Sequence, residues 1–180
     1  MSLPVLEGET LVLRALKASD AEGAYPSWLN DPEVTRYNSH GSRHYTAEMA
    51  RDYIASVSGS PTARVFAIVE REGKRHIGNI SLQAISEANQ SAELAILIGE
   101  VSVFGRGVGF EAASLLLAYG FDTLKLHRIY CGTHEGNVGM QKLAEKLGMR
   151  QEGRRREAIL KHGVFADILE YGILIQEYKG

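Results

Sequence analysis

The chain has 180 residues, 44% hydrophobic and 23% charged, an ordinary globular composition long enough to bury a core within one domain. A net charge of -2 supplies no basic field for nucleic acid or an anionic membrane. The single cysteine, Cys131, excludes an internal disulfide and suits a reducing cytoplasm, and no stretch is apolar and long enough to span a bilayer.

No charged-then-apolar signal opens the chain, and Met1-Ser2-Leu3 reads as a remnant outside the fold. Without repeats or a Pro/Gly-rich linker, residues 1–180 read as one unit. A strand is expected over Thr10 to Arg14. Ser19 with Glu22 makes an S-x-x-E box that predicts a helix from about Asp20, which Pro26 must break or kink. Asp31-Pro32-Glu33 predicts a further short helical turn. Ala50, Tyr53, Ile54 and Val57 predict a helix over Ala47 to Val57. Strands follow at Val65 to Val69, Ile77 to Ala84 and Ala92 to Ile98. Gly105-Arg106-Gly107-Val108-Gly109 then opens a helix with Ala112, Leu115, Leu116 and Tyr119 on one face. Ile129 to Thr133 is a strand, and Asn137 caps a helix closed by Gly148. Met149 to Glu157 and Phe165 to Ile175 form a last hairpin about His162-Gly163. The order implies an α/β (α+β) fold: a mixed, mostly antiparallel sheet with helices on both faces.

The strand-glycine turn-helix segment carries the strongest chemical signal. Alternating glycines at a helix start let backbone amides approach an anion, and the helix dipole favours phosphate there. Gly107-x-Gly109-x-x-Ala112 matches a dinucleotide fingerprint, but the next strand, Arg128 to Thr133, lacks the acidic residue that fingerprint needs, which weighs against a nicotinamide domain. No Gly-Lys-Ser/Thr follows, which excludes a Walker loop.

Ala92 to Gly99, Gly105 to Ala112, and Asn137 with Leu143-x-x-Lys146-Leu147-Gly148-Met149 resemble the core motifs of the GNAT acetyltransferases. Leu126-His127-Arg128-Ile129, Arg156-Glu157-Ala158 and Gly163-x-x-x-Asp167 resemble its Rim-like branch, from about Thr10 to Ile175. The resemblance implies an acetyl-CoA-dependent N-acyltransferase with no metal. Its pyrophosphate would lie on amides of Arg106, Gly107, Val108 and Gly109. Its pantetheine arm would pair with Leu97, Ile98 and Gly99, as an added strand does, and Asn137 would contact the arm. Phe104 stands where the family usually has Gln or Arg and cannot donate a hydrogen bond.

An alkyl amine holds its proton to about pH 10, so transfer needs a base. Glu93 is the first candidate and Glu157 and Asp167 are weaker ones; a backbone N–H of Leu97 or Ile98 would stabilise the oxyanion. The family's Tyr and Ser acids are replaced by Ala144 and Met140, which keeps a second reading open: a non-catalytic acyl-CoA-binding sensor or partner module. The acceptor is expected to be a small amine, an amino sugar or a protein N-terminus. Trp28, Arg36, Tyr37 and His40 are its candidate contacts, and with Arg43 they tilt the reading toward an anionic or sugar acceptor. Trp28 also suits a core position, Asn137 a plain N-cap and Cys131 a small core residue. Arg154, Arg155 and Arg156 read as a solvated strand face. His76, His134 and His162 lack metal-ligand spacing. No nucleic acid or membrane partner is expected, and a homodimer is left open.

Overall fold

The computed structural model describes residues 3–179, so Met1, Ser2 and Gly180 lie outside the described residues, while Leu3, set apart with the first two by the sequence, packs against the main core. Eight strands form one sheet: β1 (Leu6–Glu7), β2 (Leu11–Ala15), β3 (Arg64–Glu70), β4 (His76–Ser86), β5 (Ser91–Ile98), β6 (Arg128–His134), β7 (Arg150–Lys161) and β8 (Val164–Leu174). Their spatial order is β1-β2-β3-β4-β5-β6-β8-β7. Every described pairing is antiparallel except β5 with β6. That parallel pair spans the crossover through helix α3 (Val108–Ala118), as expected for strand-helix-strand. The helices α1 (Tyr25–Trp28) and α2 (Ala47–Val57) cover one face, while α3 and α4 (Val138–Lys146) cover the other.

Alternation along β4 and β5 builds two different faces. Ile80, Leu82 and Leu94 are buried against α3 and α4 in the main core with Phe66, Leu116 and Ile129. Ala21, Tyr25, Trp28, Leu29, Ala50 and Ile54 form a second cluster, and Leu97 packs against it. The intervening residues Asn79 and Ser81 are therefore buried polar groups on the second face.

Three local expectations change. The S-x-x-E box is not formed. Ala18–Glu22 is a 3-10 turn in which Asp20 accepts from the Lys17 amide at 2.8 Å and clamps the Arg14 guanidinium at 2.8 and 2.7 Å. The buried ion pair with β2 outcompetes the local box, and α1 starts afresh at Tyr25 with Pro26 in its first turn, where a missing N–H is harmless. Asp31-Pro32-Glu33 makes turns only: the Asp31 carboxylate accepts from Glu33 N at 2.8 Å. The penultimate strand runs past Glu157 to Lys161, because an irregularity between Arg155 and Ile159, with Glu157 at φ +51°, lets pairing resume. The hairpin turn at His162-Gly163 forms as read, with φ of +50° and +78°.

Glu111, in the first turn of α3, was not singled out by the sequence. Its carboxylate accepts from the Thr10 amide at 2.7 Å, the Leu11 amide at 3.0 Å and the Thr10 hydroxyl, which staples the helix to the β1–β2 turn. Burial raises the Glu111 pKa, but these donors outweigh it and hold the group below its ordinary value. A depressed folded pKa contributes stability that is complete above the ordinary carboxylate range and is lost as pH falls through the folded value. Glu111→Gln is expected to lose roughly 1–2 kcal/mol at neutral pH. In thermal melts its deficit against the parent should close on acidification; a deficit independent of pH would show that charge plays no part in the staple.

Candidate active site

β5 and β6 are paired only from Ser91↔Arg128 to Glu93↔Tyr130, although they continue to Ile98 and His134. Beyond Glu93 the two strands part. On its other side β5 stays paired with β4 through Gly78↔Ile98. The Gly99 amide donates to the Ile77 carbonyl at 2.8 Å, and Glu100 donates to the same oxygen at 3.2 Å, a bulge that ends the strand. Antiparallel pairing directs alternate main-chain groups to opposite sides. The groups of Gly99, Leu97 and Ala95 therefore serve β4, and those of Ile98 and Ile96 face the gap.

The glycine turn stands at the open end of this gap. Gly105 and Gly107 have φ of +73° and +84°, and a Cβ added to either would meet nothing within 4 Å. The amides of Gly105, Gly107, Val108 and Gly109 have no acceptor among the described residues, whereas Arg106 N donates to the Val103 carbonyl at 3.2 Å. Four free amides at the positive end of α3 in an open cradle fit a diphosphate. A cavity of 640 Å³ runs from this turn along Ile96, Leu97 and Ile98 to Asn137 and Met140. Lys142 and Lys146 add charge to its wall, with Lys146 Nζ 4.1 Å from the Phe110 ring centroid.

A second cavity, of 520 Å³, lies on the α1–α2 face of the sheet. The two share Asn38, Ile96 and Leu97, so they meet across β5 where the gap opens. The second cavity is floored by the cross-strand pairs Asn79↔Leu97 and Ser81↔Ala95, and roofed by Tyr25, Tyr53, His40, Arg43 and Tyr45. Burial, with the nearby Tyr53 and Tyr45, raises the Tyr25 phenol, so it keeps its proton. His40 Nδ1 lies 2.9 Å from the Tyr45 hydroxyl. Burial, then Lys161 and Arg43, hold the imidazole below its ordinary pKa and therefore neutral near pH 7. Lys161 reaches from the last hairpin to the carbonyls of Asn38 and His40 and ties the roof down.

The expected site residues separate on this frame. The amides of Gly107, Val108 and Gly109 are free as expected, but the Arg106 amide is bonded to Val103 and only its exposed side chain is available, while the Gly105 amide is free as well. Ile98 faces the gap as expected. The main-chain groups of Leu97 and Gly99 are turned to β4, and Ile96, which the sequence did not single out, replaces them. Asn137 caps α4 by accepting from Met140 N at 3.1 Å, and it also lines the first cavity. Arg36 and Tyr37 line that same cavity, with the Tyr37 ring tilted 48° against His134 at 5.3 Å between ring centroids, while His40 lines the second.

Trp28 is corrected to a core residue. It is 4% exposed, donates to Glu100 Oε1 at 3.1 Å, and fills the space where a Gly99 Cβ would stand. Glu93 is half-buried opposite Gln83, one step beyond Ser81↔Ala95 on the second cavity's floor. Glu157 and Asp167 line neither cavity. The Glu157 amide and Arg154 engage the Asp167 carboxylate and hold its pKa below the usual range. Arg154 and Arg155 are exposed and paired with carboxylates, the solvated face expected. Cys131 is buried with its Sγ 3.7 Å from Met149 Sδ, and burial pushes its thiol up to about 12, so it is no nucleophile. Alternation counted from the Gly99–Ile77 bond could have found Ile96, but that bond is not visible in one chain's sequence.

Comparison with known proteins agrees with this geometry. Residues 10–150 match the acetyltransferase (GNAT) domain family. The uncharacterized N-acetyltransferase p20 of Bacillus licheniformis is 30% identical over 99% of this chain and 100% of its own. The spermidine N(1)-acetyltransferase of Escherichia coli K12 is 27% identical over 62% of this chain and 59% of its own. The crystal structure of a GNAT-family acetyltransferase from Bacillus anthracis superposes with a TM-score of 0.84 at 26% identity, covering 97% of this chain and 100% of that one. With its parted parallel strands and its glycine cradle, the chain belongs to the GNAT acetyltransferase family.

Proposed function

We propose that residues 1–180 form one cytoplasmic acetyltransferase domain that moves the acetyl group of acetyl-CoA to a primary amine on a small amine, an amino sugar or a protein N-terminus. The observation that carries this reading is the meeting of the two cavities at Asn38, Ile96 and Leu97. It brings a diphosphate cradle and a separate acceptor pocket together at one parted strand edge.

Acetyl-CoA, when bound, supplies an activated acyl group with a thiolate as its leaving group. The chain's residues then have four tasks. The cradle amides hold the diphosphate. The main-chain groups of Ile96 and Ile98 hold an extended arm in the place β6 vacates, and the Ile98 N–H can donate to an oxygen that gains negative charge during transfer. Glu93 accepts the amine's proton; because it lies just past the cavity floor, a water carries the proton to it. Met140 and the buried Ala144 cannot protonate a thiolate, so Tyr37, the phenol lining the first cavity, is the available donor.

The test is acetyl-CoA calorimetry with an amine panel read by thiol release. Binding with turnover supports the transferase. Binding without turnover on any amine would turn the reading to the non-catalytic module. Glu93→Gln is expected to cut turnover about 10²- to 10⁴-fold, more at low pH, where the amine holds its proton, than at high pH. A pH profile parallel to the parent's would reduce Glu93 to scaffolding.

A further inference from the structure

The acceptor cavity has a lopsided chemistry. Among the described residues no Asp or Glu lines it, and Arg43, itself exposed at the rim, is the only Lys or Arg that does. The Arg43 guanidinium lies 5.1 Å from the centroid of the Tyr45 ring. Among the described residues it pairs with no carboxylate. Behind the roof, Lys161 adds a second positive charge at the carbonyls of Asn38 and His40.

The floor is also rich in donors. Asn79 is 8% exposed, and its buried Nδ2 makes no well-formed hydrogen bond among the described residues, with the Tyr25 hydroxyl as its neighbouring acceptor. Its orientation is set from behind by a polar chain. Arg14 holds Asp20, Asp20 lies 3.6 Å from His76 Nδ1, and His76 Nε2 donates to the Gly78 carbonyl and lies 2.9 Å from Asn79 Oδ1. The amide oxygen is thereby occupied and the NH₂ group is left to the Tyr25 hydroxyl and the cavity wall that the two residues share. Ser81 Oγ accepts from Gln83 Nε2 at 2.8 Å, which leaves the serine's own proton to donate. Asn79 stands directly across from Leu97, at the junction of the two cavities.

We propose that the acceptor is a primary amine carrying one anionic group, a carboxylate or a phosphate, which Arg43 receives at the roof while Asn79 and Ser81 donate to oxygens near the amine. This rests on the transferase reading above and names its second substrate. A polyamine would bring a further ammonium group against a guanidinium that repels it, with Glu93, the nearest carboxylate past the floor, already engaged by the reacting amine. An anionic amine enters nearly neutral overall, and its anion forms a charge-assisted pair with Arg43, the one unpaired Lys or Arg among the described residues that line the cavity.

The experiment uses the full chain at saturating acetyl-CoA with thiol release as readout. The panel is phenylalanine against phenethylamine, an amino-sugar phosphate against the free amino sugar, and spermidine. Each anionic member is expected to exceed its neutral counterpart and spermidine in kcat/KM by about 10- to 100-fold. Whichever pair shows the larger ratio identifies the anion as carboxylate or phosphate. That ratio should fall by about the same factor in Arg43→Ala and be largely kept in Arg43→Lys; being taken within one variant, it does not depend on how much protein folds. A preference for spermidine, or an equal loss on anionic and neutral members in Arg43→Ala, overturns the inference and leaves the transferase standing. Bound acetyl-CoA with no thiol from any amine overturns both.

Discussion

Gly107→Asp is expected to leave the protein folded and to weaken acetyl-CoA binding by at least about 100-fold in calorimetry, about 2.7 kcal/mol. The position is chosen because backbone and site can be separated there. Gly107 has φ +84° and ψ -5° as the residue that caps α3, and its Cβ direction is open space. Asp tolerates the left-handed region better than most residues, so the strain it adds, about 1–2 kcal/mol, is one the fold can carry. The same side chain puts a carboxylate in the cradle, beside the amides of Val108 and Gly109 that would hold the diphosphate. It competes for those donors and repels the incoming charge. Gly107→Asn is the neutral comparison and should lose less, since only bulk is added. An unchanged affinity in the Asp variant, with a parental melting temperature, would place the diphosphate elsewhere on the molecule.

Trp28→Ala is expected to cost about 3–5 kcal/mol in urea unfolding, the range for emptying a large aromatic site in a core. The indole lies in the second cluster, edge-on to His76 at 4.9 Å between ring centroids, and occupies the space beside Gly99. Removing it takes away the contact that holds the bulge closing β5, and it leaves Glu100 without its indole donor. If Trp28 were instead an acceptor platform, stability would change little while the acceptor's KM rose. The measurement thus separates a core role from a binding role for a residue whose sequence spacing suits either.

Features that depend on neighbours in the chain were legible in the sequence. The glycine turn, Asn137 with its helix, the hairpin at His162-Gly163 and the alternation of β4 and β5 all formed where their local patterns placed them. The resemblance to the acetyltransferases rested on those same local segments. Apart from Asp31-Pro32-Glu33, where the Asp31 carboxylate takes the Glu33 amide locally, the misread features are governed by distant partners. Ser19 and Glu22 satisfy a capping pattern, yet Asp20 is claimed by Arg14 from a strand. The four residues expected at the acceptor were dispersed: Trp28 to a core, Arg36 and Tyr37 to the cavity beside the glycine turn, His40 to the cavity under α1 and α2.

The sequence by itself determined that helix and strand would alternate in this order and that bare amides would gather at Gly107, Val108 and Gly109, because dihedral freedom and side-chain period are properties of a few adjacent residues. Only the tertiary structure decided that the Arg106 amide is taken by Val103, which main-chain groups of β5 face the gap and which charges reach the second cavity. Those depend on the Gly99–Ile77 bond, on where β6 leaves β5, and on the Lys161 tie to the roof. Each joins segments far apart in the chain, and no local pattern encodes such a pairing.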